Sequence, residues 1–237
     1  MNENDIIKSR AEQLKSKIIK WGAWEVGFSC VSDVLPEGLK HLSYAITIVF
    51  RLSDQIINDI REGPTYTYFH HYRHVNYLLD QMALKVSNQL QKWGYLAMAV
   101  PASQTVNSAE YKGLFPHKTA ATMAGLGWIG KNGLFISQVH GPRVRLATVL
   151  TEMPLPVVAP VEQSRCGSCD LCVSACPALA LRGENWFPGI QGERLVDVRA
   201  CSTHMKNAYK HIGRGVVCGI CISVCPWGKK GLKDGVF

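Results

Sequence analysis

The stretch Cys166-Gly167-Ser168-Cys169-Asp170-Leu171-Cys172-Val173-Ser174-Ala175-Cys176-Pro177 decides how the rest of the chain reads. Two two-residue gaps, one three-residue gap and a proline directly behind the fourth cysteine form the spacing of bacterial two-cluster ferredoxins. The short gaps bring three sulfurs of one tight loop to three irons of one cubane. The longer gap carries Cys176 round a helical turn toward a second one. A second set, Cys218-Gly219-Ile220-Cys221-Ile222-Ser223-Val224-Cys225-Pro226, lacks only the leading cysteine, and Cys201 upstream is its natural replacement. The last cysteine of each run serves the other cluster. Cys166, Cys169, Cys172 and Cys225 are therefore expected around one [4Fe-4S] cluster, and Cys176, Cys201, Cys218 and Cys221 around the other. Paired Cys-x-x-Cys units also hold structural zinc, but zinc explains neither four cysteines in one run nor a Cys-Pro ending that occurs twice. Nine cysteines, an odd number, with eight of them between 166 and 225, do not suit a disulfide scaffold. The ninth, Cys30, reads as a small buried residue on an apolar strand.

The remaining composition sets bounds. Of 237 residues 47% are hydrophobic and 19% charged, too apolar for a disordered chain. No apolar run approaches the roughly 18 residues of a membrane span. The start, Met1-Asn2-Glu3-Asn4-Asp5, is polar with no apolar stretch behind it, so a secretory signal is not expected. A cytoplasmic protein without membrane attachment follows as the expectation. The formal net charge is +8 with the thiols neutral. Eight thiolates and two [4Fe-4S]²⁺ groups bring it to about +4, and the scattered Lys and Arg residues leave only a weak pointer to an anionic partner.

Ahead of the cysteines, helix and strand patterns alternate. Apolar residues at helical spacing run from Asp5 to Trp21, with Gly22 as a stop, and again from Phe69 to Trp93, closed by Gly94. Residues 23–30, 43–50, 95–100, 134–137 and 144–151 read as strands, and 118–124 as one or two helical turns. A proline-rich connector, Met153-Pro-Leu-Pro-Val-Val-Ala-Pro160, follows. The expected fold class is α+β: an N-terminal α/β domain over 1–152 that binds a cofactor or substrate, the connector 153–160, and a ferredoxin-like two-cluster domain over 161–237. A ferredoxin needs little more than the tail, so the first part is expected to carry the site the electrons serve.

Ala124-Gly-Leu-Gly-Trp-Ile-Gly-Lys-Asn-Gly-Leu-Phe-Ile136 is the most distinctive segment there. It contains Gly-x-Gly-x-x-Gly at Gly125, Gly127 and Gly130. A dinucleotide site needs a strand before it, a helix after it and an acid about 20 residues on. Here the order is reversed and 144–150 holds no acid. The glycines instead mark a backbone passing close to something large and flat, or a tight loop against the core.

Together, Ala124-Gly-Leu-Gly-Trp-Ile-Gly-Lys131, the Cys166 run, the isolated Cys201 and the closing Cys218-x-x-Cys221-x-x-x-Cys225-Pro-Trp227 resemble the epoxyqueuosine reductases. That family is more distantly related to the cobalamin-dependent reductive dehalogenases. The resemblance extends to the first helix, Val26-Gly27-Phe28 and the strand 45–50. It implies a base-off cobalamin in the N-terminal domain, reduced through the nearer cluster, and reductive removal of the epoxide oxygen of epoxyqueuosine in tRNA. No Asp-x-His-x-x-Gly motif is present to ligate cobalt through histidine. On this likeness Gly125, Gly127, Trp128, Gly130, Lys131, Asn132 and Tyr72 are candidate cofactor-binding residues. The likeness also implies a low-potential electron donor of the ferredoxin or flavodoxin type, and makes tRNA or a nucleotide-like molecule the candidate substrate. The family's acidic proton donor stands roughly a dozen positions before Ala-Gly-Leu-Gly, where this chain offers Glu110 or Tyr111. The chain stops soon after Trp227, so it is expected to be a short form without the family's C-terminal helical-repeat domain.

Two other classes compete: a ferredoxin-type electron-transfer protein without cobalamin, and a non-catalytic tRNA-binding relative. His70-His71-Tyr72-Arg73-His74 puts two imidazoles four apart on a helix but offers no third ligand, so with Tyr66, Tyr68 and Tyr77 it is expected to line the pocket or pack on the sheet. Lys118 and Lys131 are candidates for corrinoid amides or substrate phosphate. Lys229, Lys230 and Lys233 are too few to make a nucleic-acid site.

Overall fold

A computed structural model of the chain describes residues 2–103, 113–213 and 217–229. In chain order its helices and strands are α1 (Glu3–Lys20), β1 (Glu25–Cys30), β2 (Tyr44–Arg51), α2 (Asp54–Asn58), α3 (Tyr66–Lys92), β3 (Ala97–Val100), α4 (His117–Met123), β4 (Gly127–Ile129), β5 (Phe135–Ser137), β6 (Val144–Thr151), α5 (Leu171–Ser174), α6 (Val198–Ala208) and α7 (Ile220–Ser223). The architecture is α+β. The chain forms two compact units. One is drawn from the stretches up to Arg51, Val75–Leu126 and Arg145–Val161, the other from Leu52–His74, Gly127–Val144 and Glu162 onward. The composition shift at 153–160 divides the chain in sequence. The compact units divide it differently, because each gathers three separated stretches by packing that composition does not register.

The first unit is built on a four-stranded sheet of order β1-β2-β6-β3. β1 and β2 run antiparallel, with Glu25 opposite Val49 and Cys30 opposite Tyr44. β3 and β6 also run antiparallel, with Ala97 opposite Thr151 and Val100 opposite Thr148. The central strands carry the near-continuous apolar runs that burial on both faces demands, and Ile46, Ile48, Val49, Ala147, Val149 and Leu150 are fully buried. α1 opens on a capping box: Asn2 Oδ1 accepts from the Asp5 N–H at 2.8 Å, and the Asp5 carboxylate accepts from the Asn2 N–H. It buries Ala11, Leu14 and Ile18, one stripe at helical spacing. α3 beyond Val75 does the same with Leu79, Met82, Ala83, Val86 and Leu90. α4 contributes Ala120 to a core cluster with Val31, Leu42, Ala45, Val100, Phe115 and Leu150.

The second unit pairs β4 with β5 antiparallel, Gly127 opposite Ser137 and Ile129 opposite Phe135. Arg143 is fully buried and clamps α2. Its Nη1 donates to Asp54 Oδ1 at 2.9 Å and its Nη2 to Asn58 Oδ1 at 2.8 Å. Gly219 caps α7 with φ 89°, and a Cβ there would lie 2.4 Å from Ile60 Cδ1 and 3.1 Å from the Tyr68 ring. Only glycine meets both the left-handed backbone and that approach. Neither α2 nor β4 was expected, since five and three residues are too few to show a period. Among the described residues no helix is long and apolar enough to cross a membrane.

Gly127 tests this packing. A Cβ added there would come 2.0 Å from the Ile136 carbonyl oxygen, where backbone meets backbone and neither side gives. Gly127→Ala is expected to cost about 3 kcal/mol of unfolding free energy, at the upper end of overpacking. Gly38→Ala, with nothing within 4 Å, is expected to stay within about 0.5 kcal/mol. Chemical denaturation followed by circular dichroism measures both, and equal midpoints would contradict the β4–β5 packing.

Candidate functional site

Cys166 and Cys169 lie on a turn closed by the Cys169 N–H donating to the Cys166 carbonyl at 3.1 Å. Cys172 lies on α5 and Cys225 follows α7, next to Pro226. These four line one cavity together with Gly130, Lys131, Asn132, Ile136, Pro226 and Trp227. Its volume is about 320 Å³, including the part open to solvent. The other four arise from the end of the α5 loop (Cys176), α6 (Cys201), the turn before α7 (Cys218) and α7 itself (Cys221).

Their ionisation reports the same grouping. Burial, then the charges of Cys166 and Cys169, pushes the Cys172 thiol up to about 11. Cys225 is pushed up to about 12, first by burial and then by Cys166 and Cys172, against the pull of the Trp227 and Gly228 N–H groups on its sulfur. Burial, then Cys218 and Cys176, raises Cys201 to about 11. Cys218 is raised by burial and by Cys176, opposed by the Ile220 N–H and by a hydrogen bond with the Tyr209 hydroxyl. Cys221 is raised by burial and then by Cys218, Cys172, Cys201 and Cys176, so it feels both groups. The structure thus gathers Cys166, Cys169, Cys172 and Cys225 around one cavity, and places Cys201 and Cys218 near Cys176, with Cys221 near these three and also near Cys172.

The donor chemistry fits iron–sulfur clusters. All eight donors are soft sulfurs, and like-charged thiolates this close together need a strongly positive centre to exist. Among the described residues no three His, Cys, Asp or Glu side chains close on a single ion; Cys166, Cys169, Cys172 and Cys225 ring a volume, as ligands of a multi-iron group must. Three buried side-chain nitrogens of this unit, Trp128 Nε1, Arg143 Nε and His204 Nε2, have no hydrogen-bond partner among the described residues.

Polar side chains surround the sulfurs. Lys131, its side chain 5% exposed, donates from Nζ to Asp170 Oδ1 at 2.6 Å. Asn132 donates from Nδ2 to the Cys221 carbonyl at 3.4 Å, and its Oδ1 accepts from the Leu134 N–H at 3.1 Å. Burial and the Cys218 sulfur together push the Tyr209 phenol above its usual range.

The other expected site residues are distributed differently. Gly125 adopts φ 70°, and a Cβ there would lie 3.0 Å from the Ala159 carbonyl oxygen. Gly127 and Trp128 are buried in β4, and Trp128 packs edge-on against Trp227 at 4.6 Å. These two are consumed by packing and present no free face to a flat cofactor. Gly130, Lys131 and Asn132 stand at the cysteine cavity; Tyr72 is not part of that lining, and its ring lies 6.4 Å from Tyr68. The His70 and His74 rings stack at 3.9 Å, and His71 Nε2 accepts from the Ser53 N–H at 3.1 Å. Lys118 lies on α4, its pKa lowered by burial. Glu110, Tyr111, Lys230 and Lys233 lie outside the described residues. The Arg143–Asp54 clamp and the Tyr209–Cys218 contact join residues too far apart in sequence for any local pattern to reveal.

Residues 165–228 match the family described as "4Fe-4S double cluster binding domain". The chain is 30% identical over 161 residues to the epoxyqueuosine reductase of Pseudomonas aeruginosa, a match covering 64% of this chain and 39% of that relative. The solved structure of a reductive dehalogenase described as suggesting a mechanism for B12-dependent dehalogenation superposes with a TM-score of 0.71 at 18% identity, covering 94% of this chain and 32% of that one. An epoxyqueuosine reductase solved with an epoxyqueuosine-modified tRNA-Tyr stem loop superposes with a TM-score of 0.62 at 17% identity, over 94% of this chain and 66% of that one. The structural likenesses show a shared fold. Over the matched residues the chain is similar to epoxyqueuosine reductases, its residues 165–228 match a double-cluster domain, and the match covers about 39% of the length of the curated reductase.

A raised pKa keeps a thiol protonated at any pH below it, and only the thiolate reacts with alkylating agents. In the iron-loaded protein Cys225 is therefore expected to resist iodoacetamide, and removal of the iron, which frees the loops that ligation holds, is expected to raise its labelling toward the rate of a free thiol, read by mass spectrometry of its peptide. Labelling of Cys225 that is the same before and after iron removal would contradict its place among the cluster ligands.

Proposed function

We propose that Cys166, Cys169, Cys172 and Cys225 hold one [4Fe-4S] cluster, that Cys176, Cys201, Cys218 and Cys221 hold the other, and that the chain delivers electrons through them to a corrinoid for epoxyqueuosine reductase-like reductive chemistry. One observation carries this reading: the sequence likeness to the epoxyqueuosine reductase of Pseudomonas aeruginosa runs over 161 residues, 64% of the chain, and so extends well beyond the double-cluster part at 165–228. A simple electron carrier needs no such scaffold. When bound, the clusters supply one-electron transfer at low potential and a corrinoid supplies low-valent cobalt.

The chain's own groups have distinct tasks. The thiolates neutralise iron charge and fix the loops, and the buried Cys225, with the half-buried Cys221, limits the access of water. The N–H groups of Ile220, Trp227 and Gly228 hold negative charge on the sulfurs of Cys218 and Cys225. The corrinoid is proposed without a histidine lower ligand, and the β4 residues Gly127 and Trp128 are not its seat. The substrate is proposed to be a modified nucleoside of tRNA or a nucleotide-like molecule, the electron source a low-potential ferredoxin or flavodoxin, the location the cytoplasm, and the proton donor Glu110 or Tyr111.

A second reading, an electron carrier without cobalamin, is favoured by the engagement of the glycine segment in packing and in the cysteine cavity. Purification without oxygen, with cobalamin supplied, separates the two. A corrinoid absorption band in near-stoichiometric amount supports the reductase, whereas the broad iron–sulfur shoulder alone supports the carrier. In the reductase, the double variant Glu110→Gln with Tyr111→Phe is expected to lower turnover about a hundredfold or more with iron and corrinoid content unchanged. Undiminished turnover would remove both residues from the proton-transfer role.

A further inference from the structure

Lys131 was expected, from the sequence, to contact a corrinoid or a phosphate; its surroundings assign it elsewhere. Its side chain is 5% exposed, and the carboxylate it meets, Asp170, is 53% exposed. Asp170 sits between Cys169 and Cys172. Lys131 itself lines the cavity of Cys166, Cys169, Cys172 and Cys225. Its backbone is pinned in the β4–β5 turn: the Gly130 N–H donates to the Leu134 carbonyl at 2.9 Å, and the Gly133 N–H donates to the Gly130 carbonyl at 2.8 Å. Asn132 adds the bond to the Cys221 carbonyl.

A buried ammonium loses its hydration and needs more compensation than one half-solvated carboxylate gives. Water screens Asp170 far more than it screens Lys131, so the pair presents a net positive charge to the cavity. The remaining negative charge there belongs to the sulfurs. An oxidised [4Fe-4S] cluster on four thiolates carries −2 and its one-electron reduced form −3, and a nearby cation stabilises the second more than the first. We propose that Lys131 raises the reduction potential of the cluster on Cys166, Cys169, Cys172 and Cys225, with Asp170 as the counter-charge that limits the effect. The step is the uptake of one electron from a low-potential donor; no bond to the protein forms or breaks. This assignment rests on the double-cluster reading.

A redox titration of the full chain, loaded with iron and sulfide without oxygen and followed by electron paramagnetic resonance, tests it. Lys131→Gln is expected to lower the potential of one cluster only, so that at a fixed ambient potential its reduced-to-oxidised ratio falls about tenfold, about 59 mV for a one-electron couple. Asp170→Asn is expected to shift the same cluster upward, and Lys131→Arg to leave it near the wild-type value. Opposed shifts from the two partners of one ion pair are not what a merely structural bridge produces. Equal potentials, or shifts of the same sign, overturn the proposal. If Lys131→Gln fails to retain iron, the comparison of Asp170→Asn with Lys131→Arg decides, and an unmoved or lowered potential in Asp170→Asn overturns it. Wild-type protein holding far fewer than about eight irons overturns the double-cluster reading instead; about eight irons with unmoved potentials sink only the role of Lys131.

Discussion

Eight sulfurs held in two close groups are the constraint on which the second unit depends. Burial and mutual repulsion raise the pKa of Cys172, Cys201, Cys218, Cys221 and Cys225. As bare thiolates they would drive one another apart, and as ligands of a positive multi-iron core they attract it and cross-link the loops that carry them. α5 and α7 have four residues each and α6 eleven. Helices this short are not stable alone, so their positions follow from ligation and from the packing around them.

That packing comes from distant stretches. Arg143 fastens α2 through Asp54 and Asn58, and a Cβ at Gly228, just past Cys225, would press on the same guanidinium at 2.8 Å from its Nε. Gly219 lets Ile60 and Tyr68 close over the turn between Cys218 and Cys221. Trp227, two residues beyond Cys225, is braced by Trp128. Segments without a cysteine thus set where the sulfurs stand, which is why residues 52–74 and 127–144 belong to this unit.

The cysteine spacing was legible because ligand geometry is written directly into short gaps. α1, α3, β1, β2 and β6 were legible because their buried faces repeat with a regular period. The glycine segment was ambiguous for a physical reason: a missing Cβ looks the same in sequence whether a flat cofactor or a partner strand approaches. At Gly127 only the position of the Ile136 carbonyl decides. The Lys131–Asp170 pair and the Arg143–Asp54 clamp were hidden because each joins segments with no local relation, and the place of Lys131 beside the sulfurs follows from the β4–β5 turn.

The central claim is that each group of four sulfurs, drawn from both cysteine runs, holds one cluster. Electron paramagnetic resonance of the reduced Cys→Ser variants tests it most directly. Cys225→Ser is predicted to alter the same cluster signal as Cys166→Ser, although Cys225 belongs to the second run, while Cys176→Ser alters the signal lost with Cys218→Ser. A Cys225→Ser spectrum matching Cys218→Ser, with the Cys166 signal intact, would contradict the shared ligation.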